Sequence, residues 1–143
     1  MIIACTNTFI KDITELSKKV KDGYQSCMDD IFEEFKDKTI TEISNLGDRL
    51  NRDFISHGYE YRKIRIKNSI RKEGTRSGFR LYCVCAITTD TVILLHIYPK
   101  NGRLSGEDPG EKGKVKLIEE MISENGNFHI YNETQKRFIK TDR

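Results

Sequence analysis

The pattern of hydrophobic and polar positions is clearest in residues 61–103, where it predicts three consecutive antiparallel strands. The first strand alternates hydrophobic and basic residues, with Ile64 and Ile66 on one side and Lys63 and Arg65 on the other. A period of two is typical of a strand with one buried face and one face in solvent. The alternation therefore predicts a sheet that presents a row of positive charges.

The next two strands extend this sheet. Residues 79–87 alternate as well, so that Arg80 and Tyr82 share one face of the second strand. Residues 92–98 are hydrophobic on both faces apart from His96, which predicts that the third strand is the most central one. For His96 we expect a hydrogen-bonded structural role, and Tyr82 can either stack on a nucleic-acid base or pack under a helix.

The flanking segments predict one more strand and several helices. Residues 1–6 form a short hydrophobic run that joins the sheet, and residues 9–20 and 24–35 repeat hydrophobic positions at helical spacing. Residues 39–50 predict a third helix, although Gly47 interrupts it. Residues 111–124 predict a further helix, with Val115, Ile118, Met121 and Ile122 facing inward. Residues 128–131 are a possible last strand, and the end of the chain, QKRFIKTDR, is expected to be frayed or dependent on a partner.

This order of elements predicts a single α+β domain over residues 1–143. Its antiparallel sheet, in the order β-α-α-β-β-β-α with a possible extra last strand, packs against an N-terminal helical pair. Residues 38–58 form an extended connection. Residues 101–113, at the end of a stretch from residue 99 that holds both prolines, form a mobile loop beside the sheet.

Composition narrows the class of protein. The chain has 143 residues, of which 36% are hydrophobic and 33% charged, which suits one small domain. Its four cysteines have no metal-ligand spacing, so we predict buried thiols in a reducing compartment, and neither a metal nor another cofactor. No signal peptide or membrane span is recognisable, which predicts a cytoplasmic protein.

Positive charge is concentrated in the three-strand region. Residues 59–105 hold ten Lys or Arg against three acidic residues, whereas the segments before and after them carry net charges of −3 and −1. Such a surface favours a polyanion, most simply nucleic acid, because its cations neutralise phosphates. Lysines on an edge strand that only prevent aggregation are the alternative, but a basic loop at residues 70–78 and Arg80 exceed that need.

Four segments together resemble the RelE/ParE superfamily, the toxins of bacterial type II toxin–antitoxin modules. They are FIKDITELSKK near the start, YRKIRIKNS, GTRSGFR, and VILLHIYPKNGR followed by a helix. The resemblance spans most of the chain except residues 38–58. It implies a RelE-like fold and either mRNA cleavage in the ribosomal decoding site, as in RelE and HigB types, or binding to DNA gyrase, as in the ParE type. It also implies a cognate antitoxin as a partner, besides the ribosome and mRNA, and no membrane partner.

The resemblance implies a catalytic surface made of basic residues on the sheet. Lys63 and Arg65 match the two basic residues of the family's first basic strand, Arg80 matches the arginine after Gly-aromatic, and Lys100 or Arg103 matches the arginine beyond the following strand. The candidate catalytic residues are therefore Lys63, Arg65, Arg80 and Lys100. The candidate RNA-binding residues are Lys67, Arg71, Lys72, Arg76, Tyr82 and Arg103.

The chemistry of RNA cleavage is compatible with these residue types. Attack by the 2′-hydroxyl needs a base, charge stabilisation at the phosphorus and an acid for the leaving oxygen. Arginines can hold the phosphate, and Lys63 among other cations can act as the base, although plain phosphate contact is the simpler role. The family's tyrosine beyond the last strand has no counterpart in SGEDPGEKG, and its replacement could be Tyr98, His96, Tyr131 or His129.

Two other functions stay open at this point. A ParE-like inhibitor would use the same basic surface to bind a protein target without catalysis. An inactive nucleic-acid-binding module would bind RNA or DNA and cleave nothing. Cleavage of mRNA that depends on Lys63, Arg65 and Arg80 would separate the enzyme from both.

Overall fold

The computed structural model describes residues 1–50, 58–102 and 105–140, in which the chain forms four α-helices and seven strands. This confirms the predicted α+β class. The helices are α1 (Asn7–Lys19), α2 (Gly23–Phe35), α3 (Ile40–Ile43) and α4 (Gly110–Ser123). The strands are β1 (Ile2–Cys5), β2 (Asp48–Arg49), β3 (Tyr59–Ile66), β4 (Phe79–Ala86), β5 (Thr91–Pro99), β6 (His129–Asn132) and β7 (Arg137–Lys140).

All seven strands belong to one sheet, in the order β2-β3-β4-β5-β1-β6-β7. β5 is the fourth of the seven, which confirms its predicted central place. The prediction of an antiparallel sheet was wrong at one point, because β1 and β5 pair in parallel and the sheet is therefore mixed. The helical crossover after β1 lets β3 run in the direction of β1, and two reversals later β5 runs that way again.

Helices cover both faces of the sheet. The three helices α1, α2 and α3 lie on one face, where Phe9, Ile13 and Ile31 pack with Ile64 and other inward residues of the strands. This confirms the predicted packing against an N-terminal helical pair. α4 covers the opposite face, where Leu117 and Ile118 meet a second hydrophobic cluster. Ile122, predicted to face inward from α4, is instead exposed.

The segment between α2 and the basic strand contains both a short helix and a short strand. Thr39 and Glu42 form a reciprocal capping box at the start of α3. The helix ends at Ile43, so the predicted continuation to residue 50 was wrong. Gly47 has a φ of +64°, which turns the chain out of the helical direction and into β2. Residues 51–57 of the predicted connection lie outside the described residues.

The end of the chain is more regular than its composition predicts. β6 confirms the possible last strand, and residues 137–140, predicted to be frayed or partner-dependent, instead form β7 against it. Phe138 explains the difference, because its ring lies 5.9 Å from that of Phe9 and 5.2 Å from that of Tyr131. Its backbone N–H also donates to the hydroxyl of Tyr24 at 3.1 Å.

The four cysteines, Cys5, Cys27, Cys83 and Cys85, are free and buried, as predicted. Burial raises the pKa of the Cys5 and Cys27 thiols well above their usual range, so these thiols are protonated. None of the helices in the described part of the chain has the length and hydrophobicity needed to cross a membrane.

Candidate nucleic-acid interface

The strand register brings six polar or aromatic side chains together on the sheet face that α4 partly covers. Lys63 lies opposite Tyr82, which lies opposite His96, and Arg65 lies opposite Arg80, which lies opposite Tyr98. Residues directly opposite each other across strands share a face. We call these two rows of three the polar patch. The alternation in β3 correctly predicted its two members of the patch, Lys63 and Arg65, since Ile64 and Ile66 point to the other core.

Residues 105–109, which we call the covering segment, pass over the patch before α4 begins. Asp108 contacts it directly, with one carboxylate oxygen 2.9 Å from the Lys63 Nζ and 3.1 Å from the Tyr82 hydroxyl. Its other oxygen accepts the Gly110 N–H at 2.8 Å and lies 3.6 Å from the Lys114 Nζ. These contacts, that with Lys63 foremost, hold the pKa of Asp108 below its usual range. The candidate base Lys63 is thus an ammonium donor to a carboxylate.

Arg80 is buried, with only 6% of its surface exposed. Its guanidinium donates to the carbonyl oxygens of Thr75 and Phe79 at 3.2 and 3.3 Å and to that of Arg76 at 2.7 Å. Burial, and then repulsion from Arg65, lowers the pKa of Arg80 from its usual value. Arg80 therefore braces the loop that precedes β4, and its predicted catalytic role stays a prediction.

Most of the remaining candidate cations cluster at one end of the sheet, which we call the basic end. A buried carboxylate fixes the loop that carries them, because Asp30 of α2 accepts the Ser69 backbone N–H at 2.9 Å. The backbone N–H of Lys100 donates to Gly78 at 3.0 Å, which joins the end of β5 to the same loop. The basic end comprises Arg65, Lys67, Arg71, Lys72, Arg76 and Lys100, all at least partly exposed.

Two details qualify the charge of the basic end. Arg71 lies 3.0 Å from the carboxylate of Glu73, so one positive charge is offset within the loop. Arg103, the sixth predicted RNA-binding residue, lies outside the described residues. The other residues of the basic end are exposed or, in the case of Lys67, partly exposed, so their side chains can reach a phosphate.

Tyr82 has no exposed surface. It lies beneath Asp108 with the Lys63 Nζ 5.7 Å from its ring centre, and burial raises the pKa of its hydroxyl well above the usual value. Of the two roles open to Tyr82, packing is the one this arrangement provides. Stacking on an RNA base stays a prediction that requires the covering segment to move.

His96 pairs with a carboxylate that the sequence did not point to. Its Nδ1 lies 2.7 Å from Oδ2 of Asp12 on α1, and the same oxygen accepts the Ile97 N–H at 3.0 Å. β1 ends opposite Leu94, so among residues 1–50, 58–102 and 105–140 β5 has no strand partner on that side beyond this point, and Asp12 takes the place of one. His96 and Tyr98 thus belong to the patch, with ring centres 5.5 Å apart.

The other two candidates for the family's tyrosine lie elsewhere. His129 and Tyr131 are on β6, which β1 separates from β5. The Nε2 of His129 lies 3.0 Å from the side-chain oxygen of Asn7, and Tyr131 packs against Phe32 in the core under α1 and α2. Neither is brought to the polar patch.

Sequence reasoning missed Asp12, Asp108 and Lys114. Asp12 lies 84 residues from His96 along the chain, so no local spacing connects them. Asp108 lies between Gly106 and Pro109 in a segment rich in turn formers. A carboxylate is common in such loops and does not indicate a contact with the sheet. A useful signal would have been that an acidic loop follows directly on the most basic strands of the chain.

Within the described ranges, no three His, Cys, Asp or Glu side chains lie close enough together to hold a metal ion. No protein family, curated protein or solved structure that we compared with this chain matches it. The site is therefore interpreted from its own residues.

Proposed function

We propose that the chain is the toxin of a toxin–antitoxin module and inhibits translation as a ribosome-dependent mRNA endoribonuclease. One observation carries this proposal: six basic side chains gather at the end of the sheet that adjoins the polar patch. A single strand of RNA can be held there through its phosphates while its bases lie along the patch. The partners of this function are mRNA, the ribosome and a cognate antitoxin.

The order of elements supports a RelE-like topology. A first strand, a helical pair and the meander β3-β4-β5 follow one another, and β1 lies beside β5. Three features go beyond that order, namely β2 at one edge, the hairpin of β6 and β7 at the other, and α4 lying on the face that carries the patch. The covering segment must therefore move, or RNA must approach from the open end of β5.

A second candidate function has an observation in its favour. Asp108 neutralises Lys63, and Arg80 is buried against backbone carbonyls, so two of the four candidate catalytic residues do not face solvent freely. A ParE-like inhibitor needs no catalytic group and would use the basic end to bind an acidic protein surface. DNA gyrase is the target that the resemblance implies.

The test is inducible expression in a bacterial host, with primer extension on a translated reporter mRNA. We expect growth arrest and cuts in phase with the codons. Arg65→Gln together with Arg76→Gln should abolish the cuts, because both side chains are exposed at the basic end. Lys36→Gln together with Arg137→Gln removes the same charge from exposed positions elsewhere and should leave the cuts unchanged.

Each alternative result is informative. Arrest without cuts overturns the nuclease and favours the inhibitor of a protein target. Cuts that both double variants reduce equally would show that net charge, and not the basic end, matters. No arrest and no cuts would leave an inactive nucleic-acid-binding module, which RNA binding in vitro would then detect.

A further inference from the structure

We propose that His96, oriented by Asp12, is the general base of RNA cleavage, and that the scissile phosphate lies in the groove between α1 and β5. This inference rests on the proposed function and assigns the catalytic group that the basic residues do not provide. It replaces Lys63 in that role.

The hydrogen bonds of His96 define which nitrogen is available. A carboxylate at neutral pH only accepts hydrogen bonds, so Asp12 selects the tautomer in which Nδ1 carries the proton. Nε2 is then the basic nitrogen, and in the described part of the chain the side-chain hydrogen bond of this ring involves only Nδ1. Because the Ile97 N–H holds the same carboxylate oxygen, Asp12 is fixed on the sheet and the imidazole is fixed on Asp12.

The groove beside this pair has the size for part of an RNA strand. It encloses about 310 Å³, near the lower end of the range for ligand sites, and His96, Asp12 and Tyr98 are among the residues that line it. Lys11 and Lys19 of α1 line it too and are exposed, so they can contact the phosphates on either side of the base. Glu15 and Asp12 offset their charge in the empty groove, so the lysines supply local phosphate contacts and not a net positive field. Since the pairing of β1 with β5 ends at Leu94, no strand in the described part of the chain blocks the approach.

The reaction is an internal transfer that needs no other reactant. The Nε2 of His96 takes the proton of the ribose 2′-hydroxyl, and the 2′-oxygen forms a bond to phosphorus. The bond between phosphorus and the 5′-oxygen breaks, and that oxygen takes a proton from water. The products are a 2′,3′-cyclic phosphate and a 5′-hydroxyl end, and the proton on His96 returns to solvent.

Lys63 is less suited to this role. Its Nζ lies 2.9 Å from the Asp108 carboxylate, so a group of its own chain already occupies it. The aspartate beside His96 has a different effect. Asp12 accepts a hydrogen bond from the Nδ1–H, leaves Nε2 available, and stabilises the imidazolium that forms after proton transfer. This is the relation between histidine and aspartate that orients general bases in hydrolases.

The experiment uses the full chain, ribosomes programmed with a reporter mRNA, and a fluorescent single-stranded RNA for binding. His96→Asn retains an amide N–H for Asp12 but lacks Nε2. The variant should therefore keep its fold, and its RNA dissociation constant should change less than about twofold. The single-turnover cleavage rate should fall about 100-fold or more, the usual contribution of a general base. Added imidazole should restore part of the rate of His96→Ala.

Asp12→Asn tests the positioning residue. We expect a rate at least about tenfold lower and an altered pH dependence, because the amide selects the histidine tautomer poorly. Asp29→Asn, which removes an exposed carboxylate from α2, is the matched control and should behave as the unaltered protein. The charged and titratable groups around the imidazole are Asp12, Lys11, Glu15 and Lys19 on α1, and Tyr82 and Tyr98 on the sheet.

Two failures are distinguishable. If the unaltered protein cleaves no RNA, the proposed function fails. If it cleaves, and His96→Asn cleaves within about threefold of it, His96 is not the base and this inference alone is overturned. If His96→Asn does not fold, the imidazole experiment on His96→Ala decides, since a purely structural histidine would give no rescue.

Discussion

Asp108 places a carboxylate among the hydrogen-bond donors of the polar patch. Its carboxylate is held by Lys63, by the hydroxyl of Tyr82 and by the backbone N–H of Gly110, which are donors suited to any anion. Asp108 thus neutralises the charge of Lys63 from within the chain. This explains how a strongly basic strand can pack beneath a helix.

The Asp108 contacts predict a pH-dependent contribution to stability. Asp108→Asn should lower the free energy of unfolding by about 1 kcal/mol at pH 7, a modest figure because the carboxylate is partly exposed. The folded-state pKa of Asp108 lies below the unfolded value of about 3.9, so the contribution is complete above that pH and is lost as pH falls below it. Urea unfolding at pH 7 and at about pH 3 measures it. An equal difference between the two proteins at both pH values would contradict the assignment.

Arg65 and Arg80 lie opposite each other across β3 and β4, and we expect Arg80 to contribute to stability and Arg65 to RNA binding. Arg80→Met should cost about 2–3 kcal/mol of stability, because three carbonyl oxygens lose a buried charged donor. Arg65→Met removes an exposed cation and should change stability by less than about 0.5 kcal/mol while weakening RNA binding. Thermal unfolding and RNA titration of both variants test the contrast. Equal destabilisation would show that Arg80 is not the brace we describe.

At the scale of elements, Gly47 allows the tight turn between the helical region and β2. A Cβ at this position would lie 2.0 Å from the carbonyl oxygen of Lys63, and the backbone has a φ of +64°. Gly47→Ala should therefore destabilise the fold by at least about 2 kcal/mol, through both strain and a clash. Gly126, with a φ of +79° and no atom within 4 Å of its would-be Cβ, is the matched control and should cost about 1 kcal/mol on replacement by Ala.

Urea unfolding of the two alanine variants gives the comparison. The difference between their effects isolates the close approach of residue 47 to β3. Equal effects would mean that β2 can move away from β3 at little cost.

The sequence predicted those helices and strands whose formation depends on residues close together in the chain. The alternation in β3, the apolar β5 and the helical spacing of α1 all appear in the structure, because a strand face or a helix face depends on neighbouring residues. The pair of Asp12 and His96 and the placement of Asp108 could not be predicted. Each joins segments far apart in sequence through the sheet, and no spacing in the chain records such a contact. The parallel pairing of β1 escaped prediction for the same reason.

At the scale of the whole molecule, the basic end should govern how RNA binding responds to salt. Five cations that each neutralise one phosphate of a single strand predict a slope of log K against log salt of about −3.5. Arg65→Gln together with Arg76→Gln should reduce that slope to about −2, since two contacts are removed. Fluorescence anisotropy over a range of salt concentrations measures both. An unchanged slope would place the phosphate contacts elsewhere on the surface.

The position of β1 inside the sheet has a consequence for synthesis of the chain. β1 is synthesised before both of its neighbours, which are β5, beginning at Thr91, and β6, beginning at His129. The hydrophobic residues of β1 therefore have no neighbouring strand on the nascent chain until β5 has emerged from the ribosome. Such distant pairing slows folding, because the loop must close before the contact forms. The groove beside His96 exists only after that step, so the nascent protein acquires its proposed active site late.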